Sequence, residues 1–407
     1  MIHQNRRKEL LSQLDDDALV IISTNPEQLR NGDVHYPFRP HSDFWYLTGF
    51  KEPEAVAIFS NNGYTIFLRD KDPTREIWDG KRLGIKDAPQ SLKADKAYPI
   101  DQLLALLPQL IDNAGTLYYD FKACALDDQI IELLSKTQYQ SLATHVHEMR
   151  LIKSTKEIEL MQKAADISVQ AHQSALQQTQ PGLFEYEIAS VFDAEFRKNN
   201  SEHAYTPIVA GGENACVLHY IENNKPLNEG DLLLIDAGCE VEGYAADITR
   251  TFPINGKFST AQRQIYQIVL DAQLAAIESI KPGVLITKPH QITTQIIQQG
   301  LVDLGILQAD GDLSQFYMHG TGHWLGLDVH DVGAYQQNRQ HRQYEAGMVT
   351  TVEPGIYIRK NDKINPIYWN IGIRIEDDIL VTKTGHRVLT GALVKTIDAI
   401  ELLMRKK

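Results

Sequence analysis

The sequence predicts an α/β (α+β) protein of two domains. An N-terminal α/β domain should cover residues 1–152, and a larger domain of two similar halves should cover 153–407. Three observations carry this. A chain of 407 residues exceeds what one ordinary hydrophobic core serves. The pattern changes near residue 150, from short strands mixed with helices to a long amphipathic helix opened by "STKEIE". Two long helical stretches each end at a Pro-Gly pair, Pro181-Gly182 and Pro282-Gly283, about a hundred residues apart, as a duplication would leave them; Pro-Gly also simply ends helices, and both readings stand at this point.

Composition narrows the class. Hydrophobic residues make up 43% and charged residues 23%, the balance of a soluble globular protein. The net charge of −13 argues against nucleic acid or an anionic membrane as main partner. No apolar run approaches the length of a membrane span. The start, "MIHQNRRKELLSQL", is charged and lacks the apolar core of a signal peptide. Three cysteines, Cys124, Cys216 and Cys239, with no CxxC spacing, fit a reducing cytoplasm.

Along the first domain, "ALVIIS", "AVAIFS" and "YTIFLR" read as strands, the last two joined by the turn "NNG". "TLYYD" is a further strand, and the periodicity of "DDQIIELLSK" predicts a helix after it. In the second domain Ser154, with Glu157 three residues on, is a capping-box start. Ile158, Met161, Ala165, Val169, His172 and Leu176 follow at helical spacing. "EYEIASVFDAEFRKNN" and "TAQRQIYQIVLDAQLAAIESI" are the next helices, and each half then runs into strands.

The run "FYMHGTGHWLGLDVHD" holds His319, His323 and His330, where a twelve-residue window should contain about 0.4 histidines by composition. Gly320 and Gly322 lie between the first two, which argues against the helix that pairs two histidines in zinc peptidases. The alternation in "WLGLDVH" predicts a strand carrying His330 forward. Acids accompany these imidazoles. "DLLLIDAG" is an apolar strand ending in Asp236, and "EGYAADITRTF" is a second strand carrying Asp247, close enough for an antiparallel pair. "MVTTVEPGIYI" places Glu353 at a strand end. "WNIGIRIEDDIL" places Glu376 inside a strand, with Asp377 and Asp378 at its edge and Arg374 on the same face as Glu376. Each acid alone has an ordinary explanation as a turn cap, a loop residue or an ion-pair partner. Together, four carboxylates and one imidazole suit hard to borderline divalent ions such as Mn²⁺, with Co²⁺ or Zn²⁺ possible. Two such ions would neutralise four clustered carboxylates that are otherwise costly to bury.

These blocks resemble, in order and over nearly the whole chain, the proline-specific metallopeptidases of the creatinase/prolidase group. This is the "pita-bread" fold, here in its Xaa-Pro aminopeptidase (aminopeptidase P) branch. "NGDVHYPFRPHSDFWYLTGFKEPEA" is similar to the N-terminal domain of that branch. "LLLIDAGCEVEGYAADITRTFPINGKF", "HGTGHWLGLDVHDVG", "MVTTVEPGIYI" and "GIRIEDDI" resemble its catalytic blocks. The resemblance implies that Asp236, Asp247, His323, Glu353 and Glu376 hold two metal ions, with Asp247 and Glu376 bridging. A hydroxide shared by the ions would attack the bond before proline. Glu353 would move its proton, and His330 would contact the substrate and help proton transfer. His219 would reach the scissile region, His319 would line the proline pocket, Arg374 would orient Glu376, and Tyr357 would lie close by. The substrates implied are peptides with proline second, cleaved by a cytoplasmic dimer or tetramer. Thr321-Gly322 departs from the small or aliphatic residues relatives often carry, which bears on specificity. An Xaa-Pro dipeptidase, a methionine aminopeptidase and a non-catalytic binding protein of the same fold are the alternatives. A methionine aminopeptidase would not need the N-terminal domain, and the intact ligand set weighs against the binding protein.

Overall fold

The computed structural model describes residues 2–112, 114–119 and 139–405. The helix expected in "DDQIIELLSK", residues 127–136, and Cys124 lie outside them. The chain divides into two compact units, Met1–Arg150 and Leu151–Lys407. Among the described residues no helix is long and apolar enough to cross a membrane.

The first unit is built on a six-stranded mixed sheet. Its strands are β1 (Ala18–Ser23), β2 (Val56–Ser60), β3 (Gly63–Leu68), β4 (Lys96–Pro99), β5 (Thr116–Tyr118) and β6 (Tyr139–Gln140), in the order β4-β3-β2-β1-β5-β6. β1 is buried along its whole length, which is why "ALVIIS" is a continuous apolar run rather than an alternation. It pairs antiparallel with β2 and parallel with β5. The Asn61-Asn62 turn closes the β2–β3 hairpin, with Ser60 opposite Gly63. Leu103, Leu107 and Ile111 of the helix Leu103–Ile111 pack on Leu19, Ile21, Val56 and Ile58.

The second unit repeats one plan. In the first half, α1 (Thr155–Gln178) and α2 (Glu185–Lys198) precede the antiparallel sheet of β7 (Ile208–Gly211), β8 (Leu232–Asp236) and β11 (Thr249–Pro253). The backbone N–H of Ser154 donates to the Glu157 carboxylate at 2.8 Å, completing the capping box. Between β8 and β11 sits a hairpin of β9 (Cys239–Val241) and β10 (Tyr244–Ala245). In the second half, α3 (Thr260–Glu278) and α4 (Lys288–Asp303) precede β12 (Val349–Val352), β15 (Asp377–Val381) and β16 (His386–Val388). A hairpin of β13 (Gly355–Ile358) and β14 (Ile371–Arg374) again interrupts the pair. Each half therefore reads strand, acid, hairpin, acid, strand, which settles the two readings of the Pro-Gly spacing in favour of a repeat. Fully buried residues such as Leu233, Ile235, Val349 and Ile379 each contribute about 1.5–3 kcal/mol by leaving water.

Three expectations are corrected. Asp247 does not ride inside one strand, because Ala246–Ile248 form the break between β10 and β11. Glu376 likewise sits in the break between β14 and β15. Asp377 and Asp378, far from an exposed edge, are 0% and 1% exposed. In both places the chain leaves its hairpin and enters the other sheet, so alternation continues in the sequence while the ladder does not. The third correction concerns "WLGLDVH", which forms no strand. Only Trp324 makes a bridge, to Thr350. Asp331 turns the segment instead: its N–H donates to the Trp324 carbonyl at 2.8 Å, and its carboxylate takes the buried Lys153 ammonium at 2.9 Å. Trp324, Leu325 and Leu327 are buried, so the apolar pattern reflects packing of a coiled strap rather than strand pairing.

Candidate metal centre

The repeat brings four acids together. Asp236 ends β8 and Asp247 precedes β11; Glu353 follows β12 and Glu376 precedes β15. Gly238 makes the first crossing possible, since a Cβ there would collide with the Ala246 carbonyl. The Tyr205 hydroxyl lies 2.6 Å from both Asp236 Oδ1 and Asp247 Oδ1. Oxygens of Asp247 and Glu376 and a ring nitrogen of His323 all fall within 4.8 Å of one another. His323 Nε2 stands 3.5 Å from Asp247 Oδ2 and 3.6 Å from Glu353 Oε1. Its Nδ1 lies 3.0 Å from the Trp324 carbonyl, a contact that turns Nε2 toward the acids.

The electrostatics are those of a surplus of negative charge. Burial, then Asp247, Glu353 and Asp236, push Glu376 well above the carboxylate range. Burial and the same two aspartates lift Glu353 to about 7 against His323 and Arg374. Burial disfavours a charged His323, yet Asp247 and then Glu353 outweigh it and raise the imidazole to about 9. The surplus that draws a proton onto His323 is what divalent cations would neutralise. Oxygen donors with one imidazole, and no sulfur among the lining residues, therefore fit a hard to borderline metal.

Arg374 organises the floor. Its guanidinium donates to Asp236 Oδ2 at 2.6 Å, to the Tyr357 hydroxyl at 3.1 Å and to Thr249 Oγ1 at 3.0 Å. The Thr249 hydroxyl in turn donates to Glu376 Oε2 at 2.6 Å. The ion pair is thus with Asp236, and Arg374 reaches Glu376 only through Thr249. Tyr357 stands 2.9 Å from His319 Nε2. Burial and the charge of Arg374 lower His319 to about 4, so it is neutral at pH 7 and its Nδ1–H donates to the Gly320 carbonyl at 2.8 Å.

The four acids with His319, His323 and Arg374 wall a cavity of about 420 Å³, together with His219, His330, Leu218 and Tyr335. His330 meets His323 edge-to-face at 4.3 Å between ring centres. Of the sequence-predicted site residues, Asp236, Asp247, His219, His319, His323, His330, Glu353, Arg374 and Glu376 all line this space. Tyr357 does not; it is buried behind His319 and Arg374. Sequence reading missed Tyr205 and Thr249. Nothing in "EHAYTPI" marks Tyr205, whereas Thr249, two residues after Asp247, could have been found from the alternation of its segment.

Residues 159–383 match the family model described as metallopeptidase family M24, and residues 3–118 match that of the aminopeptidase P N-terminal domain. The chain is 47% identical to the Xaa-Pro aminopeptidase of Haemophilus influenzae, over 98% of this chain and 96% of that one. It is 44% identical to the Xaa-Pro aminopeptidase of Escherichia coli, over 98% and 97%. Among solved structures, the Pseudomonas aeruginosa aminopeptidase PepP superposes with a TM-score of 0.94 at 43% identity, covering 99% of each chain. Zinc-substituted Escherichia coli aminopeptidase P in complex with product gives 0.96 at 42% identity, over 100% and 99%.

Proposed function

Because the chain belongs to metallopeptidase family M24 and carries the aminopeptidase P N-terminal domain, it is a metal-dependent aminopeptidase; we propose that it removes the residue ahead of proline from Xaa-Pro-Xbb peptides, using two divalent ions. The observation that carries this reading is the convergence of Asp236, Asp247, His323, Glu353 and Glu376 on one cavity wall.

Asp236, Asp247, His323, Glu353 and Glu376 would hold the two ions, with Asp247 and Glu376 standing where both ions could share them. Mn²⁺ is the favoured occupant, with Co²⁺ or Zn²⁺ as substitutes. Bound there, the pair supplies a hydroxide nucleophile at neutral pH and a Lewis acid for the substrate carbonyl. The chain does the rest. Glu353, beside His323 on the cavity wall, is placed to take a proton from the attacking water and pass it to the leaving proline nitrogen. His330 and His219 stand on the cavity wall where they can hold the carbonyl oxygen as charge develops. Arg374 fixes the Asp236 carboxylate, and through Thr249 that of Glu376, so neither must reorganise during turnover. The neutral His319, turned by Tyr357, packs against the pyrrolidine ring.

The test is peptide hydrolysis by metal-free protein reloaded with single ions. It compares Xaa-Pro, Xaa-Pro-Xbb, an Xaa-Ala-Xbb control and an amino-blocked peptide. Cleavage of the tripeptide with Mn²⁺, and not of the alanine or blocked peptides, is expected. Rapid cleavage of Xaa-Pro with none of the tripeptide would make the protein a dipeptidase.

A further inference from the structure

The strap from His319 to His323 is a single layer of backbone with space on both sides. Gly320 and Gly322 line the catalytic cavity, and both also line a second cavity of about 290 Å³ behind them. Along one edge the strap is fixed to β12. Glu353 N–H donates to the Thr321 carbonyl at 2.8 Å, and Thr351 N–H to the His323 carbonyl at 2.9 Å. The approach is close: a Cβ on Gly322 would overlap the Thr351 carbonyl. Away from that edge the rear cavity lies against Gly320, Thr321 and Gly322, and the two glycines resist displacement poorly.

One side chain crosses the rear cavity to reach it. His290, in the first turn of α4, places Nδ1 2.9 Å from Thr321 Oγ1. The Tyr317 hydroxyl meets the same oxygen at 2.7 Å. Thr321 is 5% exposed, so these partners take the place of water. Burial favours neutral His290. A neutral imidazole with Nδ1 bare allows the chain Tyr317 O–H to Thr321 O–H to His290 Nδ1, in which both hydroxyl hydrogens have acceptors. The Thr321 hydroxyl is thus held by α4 and by Tyr317 just ahead of the strap, while its carbonyl accepts from the Glu353 N–H.

We propose that His290 is a positioning residue for the catalytic centre, acting through the Thr321 hydroxyl to fix the strap that carries His319 and His323. This rests on reading His323 as a metal ligand and His319 as a substrate contact. Thr321→Val would remove the anchor and Thr321→Ser would keep it.

The experiment compares His290→Ala, His290→Asn, Thr321→Val and Thr321→Ser with the unaltered full chain. Asparagine places its Oδ1 near the Nδ1 position and restores the acceptor. Each protein is assayed with an Xaa-Pro-Xbb peptide at saturating Mn²⁺, with bound metal counted. Amide hydrogen exchange across 317–325 is followed in the metal-free protein. His290→Ala and Thr321→Val should each lower kcat about tenfold, the scale of one buried hydrogen bond lost at a site intolerant of misplacement. KM, metal count and melting temperature should stay close to those of the unaltered protein. Strap amides should exchange faster in both, with exchange in α1 and β8 unchanged. The serine and asparagine variants should lie within about twofold of the unaltered protein, and the double variant His290→Ala/Thr321→Val should be no worse than either single. Three results would overturn the proposal: unchanged kcat and strap exchange in His290→Ala, an asparagine variant as impaired as the alanine one, or losses that multiply in the double variant. If the unaltered protein fails to cleave the peptide, the functional reading falls, and the exchange comparison still decides whether His290 fixes the strap.

Discussion

Replacing Arg374 by lysine isolates what its fork does, because the positive charge remains. The guanidinium, 4% exposed, serves three acceptors on different elements: Asp236, Tyr357 and Thr249. An ammonium on a flexible stem can keep the Asp236 contact and not the other two together. Neither hydroxyl is orphaned, since Tyr357 still meets His319 and Thr249 still donates to Glu376. Each lost bond therefore costs about 1 kcal/mol rather than the full penalty of a buried unsatisfied group. The sum of about 2 kcal/mol corresponds to about 30-fold in rate if it falls on the placement of Asp236 and Glu376. Arg374→Ala should be worse still, because Asp236, Tyr357 and Thr249 all lose their shared donor and a space is left where the guanidinium packed. The assay is kcat and KM on an Xaa-Pro-Xbb peptide with Mn²⁺ saturating, beside calorimetric metal titration. A lysine variant within twofold of the unaltered enzyme, or one no better than alanine, would refute the reasoning from the fork.

The remaining expectations concern the histidines and the acids. His323→Ala should lose metal and activity together, whereas His330→Ala should keep its metal and lose about 10²-fold in turnover; elemental analysis beside kinetics checks this, and the reverse pattern would exchange their roles. Chelation should lower the melting temperature and Mn²⁺ should restore it, with about 2.7 kcal/mol of stabilisation at a hundred times the dissociation constant; a midpoint indifferent to metal would remove the ligand assignment. His172, fully buried with its Nε2–H on the Ala237 carbonyl, is held down to about 3 mainly by burial. Its folded pKa is depressed below the unfolded 6.5, so the unfolded chain alone takes up the proton between those values. Stability is fully present above pH 6.5 and falls as pH drops, by about 2 kcal/mol at pH 5 from this group. Glu353 and His323 of the metal centre titrate with the opposite sign, so urea titrations of metal-free protein at pH 7 and pH 5 compare the unaltered protein with His172→Gln: the difference in stability between the two should shift by about 2 kcal/mol over that interval.

What the sequence revealed depended on how local the cause was. "ALVIIS" and "DLLLID" are strands because their own residues demand burial, and Ser154 with Glu157 is a cap whatever surrounds it. The acids were conspicuous because carboxylates beside apolar strands need a reason. Asp247 and Glu376 were placed inside strands, and "WLGLDVH" was read as one. There alternation persists where the chain exchanges one sheet for another or coils under a tryptophan, and only tertiary contacts such as Lys153 with Asp331 separate these cases. Arg374 was paired with the acid nearest in sequence; its partner Asp236 is remote along the chain and adjacent only in space. Tyr205 left no trace, since a lone tyrosine in the short link between two strands has many ordinary uses.

The repeated order of acid, hairpin and acid has a consequence for the ions themselves. The first half offers two aspartates and the phenol of Tyr205; the second offers two glutamates and the imidazole of His323. Two copies of an identical half would build two indistinguishable seats, emptied and filled together. If two ions bind as proposed, one seat would be all oxygen and the other would include the nitrogen of His323, so the fold is nearly symmetric where its donor set is not. Nitrogen prefers the later first-row metals more strongly than oxygen does. On the proposed two-ion reading the seats would therefore differ in their preference among divalent ions, and two bound ions would leave at different rates.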